Sequence, residues 1–270
     1  MSPLLTFGNP KNPPLVFLHG FLGSGQSWLN IARPFSESHF CILPDLIGHC
    51  ENINLDIHSP LNFDVLTEWL LRLLDEIPAP KIHLVGYSLG GRAALTFASR
   101  YPERILTLTL ESASPGIIDP NERARRVDED SSRAESILKD GLSAFVEQWY
   151  RMPLFAGLNS RPEKISAIKE SAKQNDPRWM AKVIRGLSPG LQTPLWDSLS
   201  KLSFPVLLIA GEKDEKYVQV IRKMAKMIPN CKHVIVPEAG HNVHAEQPEK
   251  YIELIRAATR FAMSHLHGAI

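Results

Sequence analysis

A serine, an aspartate and a histidine, far apart in the chain, stand in local contexts that suit a proton relay. Ser88 lies in Gly86-Tyr87-Ser88-Leu89-Gly90-Gly91, Asp214 in Gly211-Glu212-Lys213-Asp214 and His241 in Ala239-Gly240-His241-Asn242. A serine hydroxyl does little chemistry until an imidazole takes its proton, and the imidazole needs a carboxylate to fix its tautomer and orientation. Taken singly, each residue has an ordinary reading: a capping serine in a glycine-rich turn, a helix-capping aspartate, a turn histidine. Together, in the order serine, acid, histidine, they describe one acid–base unit. Glu212 is the second choice for the acid, because it lies closer to the preceding apolar run.

Something must bring these three side chains to one place. Short apolar, β-rich runs recur at Leu15-Val16-Phe17-Leu18, Cys41-Ile42-Leu43, Ile82-His83-Leu84-Val85, Ile105 to Leu110, Val206 to Ala210 and His233 to Val236. Runs apolar on both faces belong in a buried, mostly parallel sheet. Helix-period stretches alternate with them, including Val65 to Ile77, Leu89 to Arg100, Lys216 to Met227 and Glu249 to His265. That alternation predicts a doubly wound α/β sheet with helices on both faces. Each relay residue falls just past a strand, at the carboxyl edge where open α/β sheets build their sites.

The alternation breaks between about Ser114 and Leu202, where helical patterns follow one another without a strand. The sequence therefore predicts one domain in two parts: a core of residues 1–114 and 202–270, with residues 115–201 inserted over the sheet edge as a helical cap. Three cysteines, Cys41, Cys50 and Cys231, are odd in number and widely spaced. They read as buried reduced thiols rather than disulfides or a zinc site. Thirty basic against 29 acidic residues give a net charge of +1 with no long run of one sign, which argues against a nucleic-acid tract or a polybasic membrane arm. No stretch has the length of a signal peptide's apolar region or a membrane span. The expectation is a soluble, cytoplasmic protein, or a plastid stromal one if the chain is cut from a larger precursor. The sequence does not fix an oligomeric state.

The serine motif sits between a strand and a helix, the strand-turn-helix context of the α/β-hydrolase fold, whose members also share the chain order serine, acid, histidine. By that likeness His19-Gly20-Phe21-Leu22-Gly23, after the run Leu15 to Leu18, resembles the loop that supplies one oxyanion donor. The donors would be the backbone N–H groups of Phe21 and Leu89. His19 is expected to hold the loop by hydrogen bonds, and Asp45 to shape the neighbouring loop. His244, three residues after His241, lacks the further ligands a metal site needs.

Beyond the fold, the chain resembles the 2-succinyl-6-hydroxy-2,4-cyclohexadiene-1-carboxylate (SHCHC) synthases, the MenH family, over nearly its whole length. The likeness is carried by Gly86 to Arg92, by Glu111-Ser112-Ala113-Ser114-Pro115-Gly116 and by Glu122-Arg123-Ala124-Arg125-Arg126. It continues in Gln148-Trp149-Tyr150, Pro153-Leu154-Phe155 and Gly240-His241-Asn242-Val243-His244. The resemblance implies a lyase of menaquinone or phylloquinone biosynthesis that eliminates pyruvate from a three-carboxylate substrate. It implies no cofactor. Ser88, activated by His241 and Asp214, would remove a ring proton. Arg92 and Arg126 would grip carboxylates, with Tyr87 and Trp149 forming a wall and a hydrogen-bond donor. Arg125 would face outward on the same helix as Arg126.

Ile47 and Cys50 depart from the proline and glycine usual in related proteins. An esterase or thioesterase would use the same relay with Ser88 as a covalent nucleophile. A non-catalytic ligand receptor on this fold would be marked by loss of one of the three relay residues.

Overall fold

The computed structural model describes residues 4–53 and 55–266, the last six by their backbone. Seven strands form one sheet: β1 (Leu5–Phe7), β2 (Pro14–Leu18), β3 (Phe40–Leu43), β4 (Ile82–Tyr87), β5 (Ile105–Glu111), β6 (Val206–Gly211) and β7 (Cys231–Val236). Their order across the sheet is β1-β3-β2-β4-β5-β6-β7. β1 runs antiparallel to β3, and the other strands are parallel. The strand order reverses between β2 and β4, so the loop after β2 and the loop after β4 open side by side at the carboxyl edge.

Period-two alternation divides the core between the two faces of the sheet. Val16, Leu18, Ile42, Leu84, Leu108 and Leu208 point to one face. There they meet helices α2 (Phe63–Asp75), α3 (Leu89–Arg100) and α9 (Glu215–Ala225). Leu15, Phe17, Cys41, Leu43, Val85, Leu207 and Ile209 point to the other. That face is covered by short helical turns around α1 (Leu29–Ala32), with Trp28 and Phe35, and by α11 (Pro248–Leu266) through Tyr251 and Ile255. A strand buried on both sides cannot alternate polar with apolar, which is why β2, β4 and β6 read as continuous apolar runs.

Five helices stand between β5 and β6: α4 (Pro120–Asp140), α5 (Leu142–Trp149), α6 (Ala156–Asn159), α7 (Pro162–Ala172) and α8 (Pro177–Gly186). Two begin by the same local device. Asp119 accepts the Glu122 N–H at 2.8 Å ahead of Pro120, and Asp176 accepts the Arg178 and Trp179 N–H groups ahead of Pro177. An aspartate cap followed by proline satisfies an orphan donor and presets the first helical φ. α4 is polar over most of its surface and is pinned by Ala134 and Ile137, which are buried.

Three features differ from the sequence reading. β1 was not anticipated, because three residues give too short a pattern; it exists as an antiparallel edge against Phe40–Leu43. β7 is not apolar on both faces, since it is the opposite edge and exposes Lys232 and His233. Of the cysteines, only Cys41 is buried; Cys50 lies in a loop and Cys231 opens the edge strand, both half-buried, and all three are free thiols. Residues 1–3 and 267–270 of the expected core lie outside the described residues. No helix among the described residues is long and apolar enough to cross a membrane.

At the amino-terminal end of the sheet two imidazoles are packed into the core. His83 on β4 is fully buried, with Nδ1 2.8 Å from Thr107 Oγ1 and its ring 5.4 Å from that of His39. Burial lowers both pKa values, that of His83 to about 3, with His39 adding to the shift. The folded state therefore keeps these rings neutral while the unfolded chain takes up protons below its pKa of about 6.5. Stability is full above that pH and falls as pH drops toward 3, by up to about 1.4 kcal/mol per pH unit for His83, with His39 acting in the same direction. Urea midpoints measured between pH 7.5 and 5 should decline in the wild type. His83→Val should show a shallower decline, and equal slopes would refute this assignment.

Candidate active site

The turn after β4 sets the position of Ser88. Its backbone has φ 50° and ψ −110°, a left-handed conformation that costs a non-glycine residue about 1 to 3 kcal/mol. A hydrogen bond from Ser88 N–H to Glu111 O at 2.9 Å holds it there. Gly86 and Gly90 make the turn sterically possible: a Cβ on Gly86 would lie 2.5 Å from Gly90 O, and one on Gly90 would lie 2.3 Å from Leu18 O. The serine is thus lifted above the sheet at the amino terminus of α3, where the helix dipole favours negative charge.

His241 Nε2 lies 3.1 Å from Ser88 Oγ, and His241 Nδ1 lies 2.6 Å from Asp214 Oδ2. Asp214 is at the start of α9 but makes no side-chain cap hydrogen bond, so its carboxylate is left for the imidazole. A carboxylate only accepts, which places a proton on Nδ1 and leaves Nε2 to receive one from Ser88. Both side chains are almost fully buried. Glu212, the alternative acid, is exposed, and its Oε2 accepts the Glu238 N–H at 3.0 Å. Two supports were not anticipated. Ser112, at φ 48°, donates its hydroxyl to the His241 carbonyl at 2.9 Å, and Glu246 accepts the Gly240 N–H at 2.9 Å.

The loop after β2 brings Phe21 beside Ser88 in the same cavity. Neither the Phe21 nor the Leu89 backbone N–H donates to any acceptor among the described residues, so both remain available to an oxyanion. His19 Nδ1 donates to Gly20 O at 2.8 Å, and its Nε2 accepts the Leu46 N–H at 2.9 Å. Burial lowers its pKa, and both nitrogens serve the loop. Asp45 accepts the Gly25 N–H at 2.7 Å and so ties down the adjacent segment. Cys50 has φ 49°, the region glycine adopts most easily.

Ser88 stands where two chambers meet. The larger, about 440 Å³, is lined by Phe21, Tyr87, Trp149, Tyr150, Leu154, Phe155 and His241, with Lys164 at its cap side. The smaller, about 60 Å³, is lined by Phe21, Ser88, Leu89, Arg92, Arg126, Asp130 and Trp149. Trp149 belongs to both and packs edge-on to Phe21 at 5.4 Å. Tyr87 is buried in the larger one, under His241 at 5.4 Å. Tyr217, not singled out from the sequence, has its ring 4.9 Å from that of His241.

Arg92 is 9% exposed and has no ion-pair partner among the described residues. Its Nη1 donates to Leu187 O at 2.9 Å, and the guanidinium lies over Phe63 at 5.1 Å. Burial lowers its pKa to about 10, so the charge persists at neutral pH. Arg126 is one-quarter exposed, and its Nε donates to Asp130 Oδ2 at 2.8 Å. Asp130 is buried and also takes Arg133 at 2.6 Å, so two guanidiniums share one buried carboxylate. Arg133 and Asp130 were missed, though the spacing of 126, 130 and 133 on one helix face was the available signal. Arg125 is exposed and pairs only with Glu122, at 3.9 Å.

Residues 13–248 match the alpha/beta hydrolase fold family. A Bacillus subtilis (strain 168) protein provisionally named as an SHCHC synthase is 38% identical over 254 residues, covering 92% of this chain and 90% of its own. The Escherichia coli O1:K1 / APEC protein named SHCHC synthase is 31% identical over 255 residues, covering 94% of this chain and 96% of its own. The chain belongs to the MenH synthases of the α/β-hydrolase fold. The solved structure of MenH from S. aureus superposes with a TM-score of 0.93 at 34% identity, covering 97% of this chain and all of that one. The family's fold extends through the cap as well as the sheet, because the match leaves no large segment uncovered.

An activated Ser88 should react with a fluorophosphonate probe. Ser88→Ala should abolish labelling and Asp214→Asn should slow it by orders of magnitude, whereas Glu212→Gln should leave it unchanged. A slow Glu212→Gln variant would transfer the acid's role to Glu212.

Proposed function

We propose that this chain is a lyase that eliminates pyruvate from 2-succinyl-5-enolpyruvyl-6-hydroxy-3-cyclohexene-1-carboxylate to give SHCHC. The observation that carries this reading is Arg92, a buried and unpaired guanidinium in the recess beside Ser88. A buried charge is costly unless something neutralises it, and an anionic ligand would do so. A substrate with three carboxylates fits a recess in which Arg92 and Arg126 outnumber the acids. The names borne by the related proteins supply the identity of that substrate.

In this mechanism His241 takes the hydroxyl proton as Ser88 Oγ takes the ring proton alpha to the succinyl ketone. Asp214 stabilises the resulting imidazolium. Charge moves onto the ketone oxygen, where the Phe21 and Leu89 N–H groups hold it as an enolate; such a donor is typically worth about 3 to 4 kcal/mol. Collapse of the enolate forms the second ring double bond and breaks the carbon–oxygen bond to the enolpyruvyl group. That group leaves as the enolate of pyruvate and takes up the proton held by His241, which gives pyruvate and returns the relay to its starting state, with the ring proton now on Ser88. Water is not consumed, and the chemistry asks only for acid–base groups and oxyanion donors.

A second reading, a carboxylesterase or thioesterase with Ser88 as covalent nucleophile, is favoured by the aromatic lining of the larger chamber. The two separate cleanly. Incubation of the pure protein with the enolpyruvyl substrate should release pyruvate, and neutral p-nitrophenyl esters should turn over poorly. The opposite pattern would select the esterase. Arg92→Ala and Arg126→Ala should each lower kcat/KM by about 10- to 150-fold, the loss of a charge-assisted hydrogen bond worth roughly 1.5 to 3 kcal/mol. Lysine should rescue only partly, because it lacks the planar fork. Arg125→Ala should change little, and a loss equal to that of Arg126→Ala would remove the proposed carboxylate recess.

A further inference from the structure

The larger chamber is lined by His244, whose imidazole forms a second pair with a buried carboxylate that the relay does not use. Glu111, the last residue of β5, is fully buried. Its Oε2 lies 2.7 Å from His244 Nδ1, and its Oε1 accepts the His244 backbone N–H at 3.1 Å. One side chain thus gives both oxygens to one residue, in the short helix α10 (Val243–Glu246) that follows His241. The imidazole is also wedged by its neighbours. It stacks on Trp28 at 4.1 Å and 28°, and meets Tyr87 at 4.9 Å and Tyr251 at 5.7 Å. The titratable groups packed against it are Glu111 from β5, Tyr87 from β4 and Tyr251 from α11.

The carboxylate only accepts, so Nδ1 carries a proton and Nε2 is the ring's remaining polar atom. Nε2 has no partner among the described residues, and it is not one of the polar atoms sealed from solvent without a partner. His244 lines the same chamber as Ser88 and His241. Glu111 has no lysine or arginine partner among the described residues. A buried carboxylate that only accepts fixes the ring's orientation and leaves Nε2 as the atom through which His244 can meet a ligand. An acidic ligand that brings its own proton to Nε2 would make that atom a donor to the ligand's carboxylate.

We propose that His244, gripped by Glu111, is a carboxylate-binding residue of the larger chamber, donating from Nε2 to an anionic group of the ligand. It contacts that ligand in the chamber that does not contain Arg92 and Arg126. Its place in turnover rests on the lyase reading, in which a three-carboxylate substrate needs donors in both chambers, while the contact itself can be observed without turnover.

The test uses full-length protein labelled with ¹⁵N-histidine, titrated with pyruvate and separately with succinate, together with the kinetics of pyruvate release. His244 Nε2 should shift saturably toward the imidazolium position, and in Glu111→Gln the same shift should need at least about tenfold more ligand. His244→Leu should lose about 10- to 100-fold in kcat/KM, mostly through KM, and His244→Gln, which restores a donor near Nε2, should recover part of the loss. If the wild type releases no pyruvate but Nε2 still responds, the lyase reading fails and the carboxylate contact stands. If pyruvate is released while neither probe moves Nε2 and KM is unchanged in both His244 variants, the contact is refuted and the lyase reading stands.

Discussion

The backbone of Ser88 is held in a conformation it would not choose, and the rest of the site is arranged around that constraint. The left-handed turn can close only because Gly86 and Gly90 let main chain approach main chain, where any Cβ would collide with a carbonyl oxygen. The same close approach locks the elbow against the end of β2, so Phe21 and Leu89 line one recess with Ser88. β5 contributes twice. Glu111 O receives the Ser88 N–H, and Ser112, the next residue, holds the carbonyl of His241. Nucleophile and base are therefore referred to one strand, and the 3.1 Å contact between them follows from sheet geometry rather than from flexible loops.

Charge placement makes a second layer on this frame. The relay itself contains one carboxylate and no fixed cation, whereas the cap edge brings Arg126 and Arg133 onto Asp130 and leaves Arg92 unpaired. A guanidinium in that position costs free energy in the empty protein and returns it when an anion enters. The core offsets such local costs: both faces of the sheet are closed by continuous apolar packing, and the cap helices belong to the same packed cluster as α2, α3 and α9.

The relay was legible in the sequence because its signals are local. A glycine on each side of a serine between a strand pattern and a helix pattern specifies a turn whatever surrounds it. Asp214 and His241 could be named because each lies in the short turn that follows an apolar run. The supporting shell was not legible. Glu111 reads as the polar end of an apolar strand and His244 as a possible metal ligand without companions, and nothing in their spacing says that they meet across 133 residues. Tyr217 and Arg133 were likewise visible only as ordinary helix residues. β7 was read as a two-sided buried strand because its apolar residues suggest one, while its edge position is a property of strand order.

By itself the sequence determined the alternating α/β architecture and the elbow, and it named Ser88 and His241 with two candidate acids, because periodicity, glycine chemistry and strand ends act within a few residues of each other. Only the tertiary structure decided which carboxylate lies against His241, which arginine is left without an ion-pair partner among the described residues, and that Ser88 opens onto two chambers, one with a largely aromatic lining and one that holds two arginines. Those outcomes depend on pairings between distant segments and on what burial withholds from water, and neither is written in the spacing of residues along a chain.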